Sequence, residues 1–159
     1  MSTLKRMTYL LLVIITLFSC TSNNDETDPN GGEDFFTAKI DGVDWAAFTG
    51  PPDTVAWNEA HPGLIVIQGS DSNGHAITMN IINYSGAGTY DFATAGFIQL
   101  VEGLNGAWAC TPVLGTTGSV TITSDDGDVI EGIVSFVGKN ANDNSTKNIT
   151  EGSFRASKQ

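Results

Sequence analysis

The chain has 159 residues, with 18 Asp or Glu against seven Lys or Arg, giving a formal net charge of −11. An acidic balance of this size argues against electrostatic capture of nucleic acid or anionic lipid, both of which need basic surface. Once the N-terminal segments are set aside, about 125 residues remain, enough for one ordinary domain.

In chain order, Lys5 and Arg6 precede the apolar run Met7 to Phe18, and small residues follow. A basic start, a short apolar stretch and a small-residue end predict a secretory signal helix. The run is about a dozen residues, whereas a spanning helix needs ~20. Its end, Leu17-Phe18-Ser19-Cys20, resembles a lipobox, the recognition site of the bacterial lipoprotein signal peptidase. That resemblance implies cleavage after residue 19 and acylation of Cys20, which becomes the new N-terminus. Each buried CH₂ of the acyl chains then gains ~0.8 kcal/mol of membrane affinity. Residues 20–34 are polar and acidic, carry Pro29 and two glycines, and predict a flexible tether. Asp25 and Glu26 also resemble the acidic export signals that send some lipoproteins to the cell surface.

Residues 35–159 predict a single all-β domain. No stretch keeps a helical apolar period for three turns, and short alternating runs bounded by Gly, Asp, Asn and Pro recur instead. Phe36 to Ile40 alternates, Asp41-Gly42 turns the chain, and Trp45 to Phe48 returns. Residues 63–69, 75–81, 88–92 and 97–101 follow as strands. Ser119 to Thr123 and Val129 to Val137 flank the turn Asp125-Asp126-Gly127, and residues 148–155 close the domain. The expected architecture is an antiparallel β-sandwich or flattened barrel of about nine or ten strands.

The order of several elements carries a resemblance: Phe36-Thr37-Ala38-Lys39-Ile40-Asp41-Gly42-Val43-Asp44-Trp45, then Gly88-Thr89-Tyr90, then Gly118 to Thr123. Ile130-Glu131-Gly132-Ile133-Val134-Ser135-Phe136 and the closing Ile149-Thr150-Glu151-Gly152-Ser153-Phe154 complete it. With the lipobox, this resembles a family of Bacteroidota lipoproteins of unassigned activity. The motifs are strand and turn signatures, so the resemblance implies fold and location, with no catalytic residues to carry over.

The candidate sites are few. No G-x-S-x-G elbow occurs, and neither His61 nor His75 stands in a triad pattern. Two histidines and one spare cysteine lack zinc spacing, so no metal is expected. Asp125, Asp126, Asp128 and Glu131 crowd one hairpin as a weak calcium candidate without the twelve-residue loop pattern. Cys110 has no disulfide partner once Cys20 is acylated, and its apolar setting predicts a buried thiol. Among the aromatics Trp45, Trp57, Trp108, Tyr84 and Tyr90, Trp57 lies between Pro51-Pro52 and Pro62. It is the candidate exposed stacking residue for a glycan or peptide. Asp53-Thr54-Val55 resembles an O-glycosylation sequon of exported Bacteroidota proteins, which places a glycan on Thr54.

The functional expectation is a binding or accessory module held by its lipid in the bacterial outer membrane, on the periplasmic face or the cell surface. It has no cofactor and no evident catalytic site, and its partners are the membrane and a glycan or peptide ligand. The competing readings are an envelope hydrolase with a carboxylate or Cys110-based site, and a purely structural envelope lipoprotein.

Overall fold

A computed structural model describes residues 32–159. The expected signal peptide, Cys20 and the first part of the tether lie outside the described residues. The strands are β1 (Phe35–Ile40), β2 (Val43–Ala46), β3 (Ala56–His61), β4 (Leu64–Ser70), β5 (His75–Ile82) and β6 (Gly88–Asp91). They continue with β7 (Gly96–Glu102), β8 (Ala107–Cys110), β9 (Gly118–Asp125), β10 (Val129–Lys139) and β11 (Thr146–Ser157), with one 3₁₀ turn at Pro112–Leu114.

The strands join in one sheet of order β2-β1-β11-β10-β8-β7-β5-β4-β3, and β9 branches from β10 to carry β6. Every strand-to-strand ladder is antiparallel, as the turn-bounded alternation predicts. β10 makes the branch by pairing β9 along residues 130–136 and β8 at Lys139. The sheet curls until Trp57 on β3 meets Lys158 in an isolated bridge. The antiparallel all-β expectation therefore holds, and of sandwich or flattened barrel the sheet takes the form of a curled half-barrel.

Two of the eleven strands, β3 and β8, were not expected as strands, and each has a physical reason. In β8, Trp108 and Cys110 point inward, but the outward residues are alanines, so the alternation is invisible in an apolar count. In β3 only Ala56 and Trp57 cover the core and the next four residues are exposed, so no period of two develops.

The core is built by the inward residues of facing strands. Ile65 and Ile67 of β4, Ile77, Met79 and Ile81 of β5, and Ile98 and Leu100 of β7 are fully buried. Phe36, Val120, Ile122, Ile130, Ile149 and Phe154 join the same cluster from β1, β9, β10 and β11. Phe36 is its aromatic centre, with ring centroids 5.6 Å from both Trp45 and Phe154. Gly152 faces Val134 across the β10–β11 pair, where a Cβ would come within 2.5 Å of both the Val134 carbonyl oxygen and Cγ1. This contact is why the closing strand carries a glycine at 152.

Residues 32–34 differ from the tether expectation. The Gly32 carbonyl accepts from Arg155 Nε at 3.0 Å, and Asp34 accepts from the Ser157 amide and hydroxyl at 3.0 and 2.9 Å. Those bonds fasten the chain to the end of β11 before β1 begins. Arg155 is 6% exposed and is neutralised by Glu131 at 2.6 Å.

Candidate functional site

A groove of about 630 Å³ runs along β2 and under the β4–β5 turn. Its geometry starts from the β1–β2 hairpin. Asp41 and Gly42 both have positive φ, 51° and 83°, the requirement of a two-residue turn whose twist matches its strands. The turn is locked to β11, with the Asp41 amide donating to Asn148 O and the Asn148 amide donating to Asp41 Oδ1, each at 2.8 Å.

The groove wall is apolar. Trp45 is buried, and its indole Nε1 is enclosed without a hydrogen-bond partner. Phe48 and Val43 are 45% and 70% exposed. Phe48 is positioned by its backbone, whose amide donates to Ser70 O at 2.8 Å. Thr54 Oγ1 lies 2.7 Å from Phe48 O and 2.6 Å from Ser70 O, stapling the segment after β2 to the end of β4.

The rim is acidic, with Asp41, Asp44, Asp71 and Glu102 set against Lys147 and His75. Lys147 Nζ sits 3.1 Å from Glu102, 3.5 Å from Asp41 and 5.2 Å from the Trp108 ring centroid. The hydrogen bond to Glu102 holds its ammonium above the ordinary lysine range, so it stays charged. Asp71 Oδ1 accepts from the amides of Asn73 and His75 at 2.8 Å each, and Oδ2 lies 3.1 Å from His75 Nδ1. Burial pushes the Asp71 carboxyl up, but these amides and the imidazole outweigh it and hold the group below the usual range. Ser72 shares the turn and lines the groove beside them. Asp44 is exposed and stands across the β1–β2 ladder from Lys39, whose ammonium is held closer by Glu151. What the arrangement offers chemically is an apolar wall beside a rim with more carboxylates than cations.

The predicted site residues fall elsewhere, and several expectations are corrected. Trp57 is 4% exposed, its Nε1 donates to Asp128 O at 3.1 Å, and Lys158 Nζ lies 4.9 Å from its ring centroid. It closes the sheet seam and offers no face for stacking. Trp108 is likewise buried, with Nε1 donating to Ser145 Oγ. The Thr54 hydroxyl lies against two backbone carbonyls, so a glycan there would displace the staple between Phe48 and Ser70.

The calcium candidate also dissolves. Asp125 accepts from the Gly127 amide and the Tyr84 hydroxyl, and Asp126 Oδ1 accepts from the amides of Asp128 and Val129. Glu131 pairs with Arg155. These carboxylates serve the turn, and among the described residues no group of three His, Cys, Asp or Glu converges to hold a metal ion. Cys110 is fully buried, as expected, and burial pushes its thiol up, the opposite of the shift that makes a reactive thiolate. His61 is exposed beside the Pro62 carbonyl.

The groove itself escaped sequence reasoning, because its residues come from β2, the β4–β5 turn, β7 and β11 and share no local pattern. The adjacent exposed Val43 and Asp44 after a tight turn were its one local signal. Comparison with known proteins gives no matching family model, no matching curated protein and no matching solved structure.

Proposed function

We propose that the chain is a lipid-anchored, non-catalytic binding module of the bacterial outer envelope, of the Bacteroidota lipoprotein type, whose groove along β2 receives a ligand carrying an apolar part and a positive charge. The observation that carries this reading is the groove, with exposed Phe48 and Val43 beside Asp44 and an acidic rim. A concave, largely apolar site with a few convergent polar groups is the usual form of a small-ligand or peptide site, and barrel mouths are a common place for it.

The anchor half rests on Lys5-Arg6, the apolar run and Leu17-Phe18-Ser19-Cys20.

Two measurements test the proposal. Metabolic labelling with an alkyne fatty acid should tag the wild-type chain and not Cys20→Ala; an untagged wild type removes the anchor. Amide shift mapping with a panel of glycans and peptides should find perturbations centred on β2 and the β4–β5 turn, and these should fade in Phe48→Ala. Ligand shifts unaffected by that substitution would remove the groove.

A further inference from the structure

We propose that the free edge of β2 takes an extended basic peptide, which adds to the sheet as a further strand. This deepens the groove reading and rests on it.

Among the described residues, β2 is the terminal strand of the sheet and pairs only with β1. The Ala47 amide donates to Phe36 O at 2.8 Å, so the pairs that exchange hydrogen bonds with β1 are Phe36–Ala47, Ala38–Trp45 and Ile40–Val43. By the antiparallel alternation, Asp44 and Ala46 turn their N–H and C=O groups away from β1, toward open space. Both residues are exposed. They are a short docking line of two donors and two acceptors.

A depression flanks this line on each side. One is the groove, with Phe48 and Val43. The other, about 360 Å³, lies over Thr37, Lys39 and Glu151 on β1 and β11, and it shares Asp44, Trp45 and Ala46 with the first. An added strand sends successive side chains to opposite faces, so neighbouring residues would drop one into each depression. In strand addition the main chain supplies affinity and the alternate pockets supply selectivity.

Charge selects the occupant. Lys39 of β1 stands directly across from Asp44 and is paired with Glu151 at 2.6 Å, and Lys147 is paired with Glu102 and Asp41, so two lysines face Asp41, Asp44, Glu102 and Glu151 and the line keeps a net negative charge. A peptide alternating apolar and basic residues complements it. A second copy of this chain is disfavoured, because pairing β2 with β2 would bring the two Asp44 carboxylates and two net −11 chains together.

The test uses the full chain in detergent. The probe is an acetylated, amidated heptapeptide, Lys-Val-Lys-Leu-Lys-Val-Lys, with a counterpart carrying Glu in place of every Lys. The lysine peptide should bind at least tenfold more tightly and slow amide exchange at Asp44 and Ala46 at least tenfold. Ala46→Pro removes an outward N–H without touching a bond to β1 and should weaken binding at least tenfold. Asp44→Lys keeps the backbone intact and should reverse the preference between the two peptides.

Binding without protection at Asp44 and Ala46, or an unchanged preference in Asp44→Lys, would overturn the strand addition. So would protection that appears on self-association without peptide, which would make the occupant a second copy. A non-peptide ligand that shifts β2 while both peptides stay silent also overturns it but leaves the groove reading standing. Silence of every probe removes both.

Discussion

Replacing Trp57 by alanine separates a structural role from a recognition role. The indole is 4% exposed, sits on β3 where the curled sheet meets Lys158, and donates to Asp128 O. Burying a ring of this size removes roughly 200 Å² from water. At about 25 cal/mol per Å² that is about 5 kcal/mol, of which alanine keeps about 1. The Asp128 carbonyl remains satisfied in the variant, because the Lys158 amide also donates to it at 2.7 Å. The expected loss is therefore about 4 kcal/mol, within the usual range for truncating a buried aromatic. Trp57→Phe retains most of the ring and should lose about 1 kcal/mol with the indole hydrogen bond. Urea unfolding followed by circular dichroism reads both. With a slope of about 1.5 kcal/mol per M, the alanine variant should unfold roughly 2.5 M earlier than wild type. A midpoint within about 0.5 M of wild type, together with lost ligand binding, would refute the structural role and restore Trp57 as a contact residue.

Other consequences can be measured on the same protein. Gly152→Ala forces a Cβ to within 2.5 Å of the Val134 carbonyl oxygen, a clash with backbone that cannot rotate away. It should cost about 2–3 kcal/mol and lower the melting temperature by roughly 10 °C in calorimetry; a fall of less than about 3 °C would contradict the packing described. The Tyr84 hydroxyl is pushed above its ordinary range by burial and by its 2.7 Å bond to Asp125. The folded state thus holds this proton more tightly than the unfolded state. The stabilisation is full below about pH 10 and is lost as pH rises beyond it. Tyr84→Phe should flatten that alkaline decline, and the wild-type minus variant absorbance at 295 nm should show no ionisation near pH 10 while the protein is folded. Cys110 should ignore a thiol-specific disulfide reagent at pH 8 until denaturant unfolds the chain; fast labelling of the native protein would mean that the thiol is reachable.

The sequence carries the strands wherever inward and outward residues differ in polarity. His75 to Ile82 and Gly118 to Asp125 alternate cleanly and are found as strands. It loses them where that contrast is missing, as at Ala107 and Ala109 of β8, or where an edge strand covers little core, as in β3. Trp57 misled because Pro and Gly neighbours signal a loop, while the burial of its ring depends on Lys158 and Asp128, far away in the chain. The acidic hairpin at 125–128 misled for a related reason. Carboxylates close together in sequence read as a cation site, but here Asp125 and Asp126 accept from backbone amides of their own turn, and Asp125 also from the Tyr84 hydroxyl. The groove was not legible at all, because only the curl of the sheet brings Asp44, Phe48, Asp71 and Glu102 to one place.

The central claim is that this groove is where the protein meets its ligand. Backbone amide shift mapping of the full chain, titrated with the lysine peptide and a glycan panel, tests it most directly. Shifts should be confined to Asp41–Phe48, Asp71–His75 and Glu102, and should collapse in Phe48→Ala at unchanged melting temperature. Ligand-induced shifts centred away from these segments, or none at millimolar probe, would contradict the account.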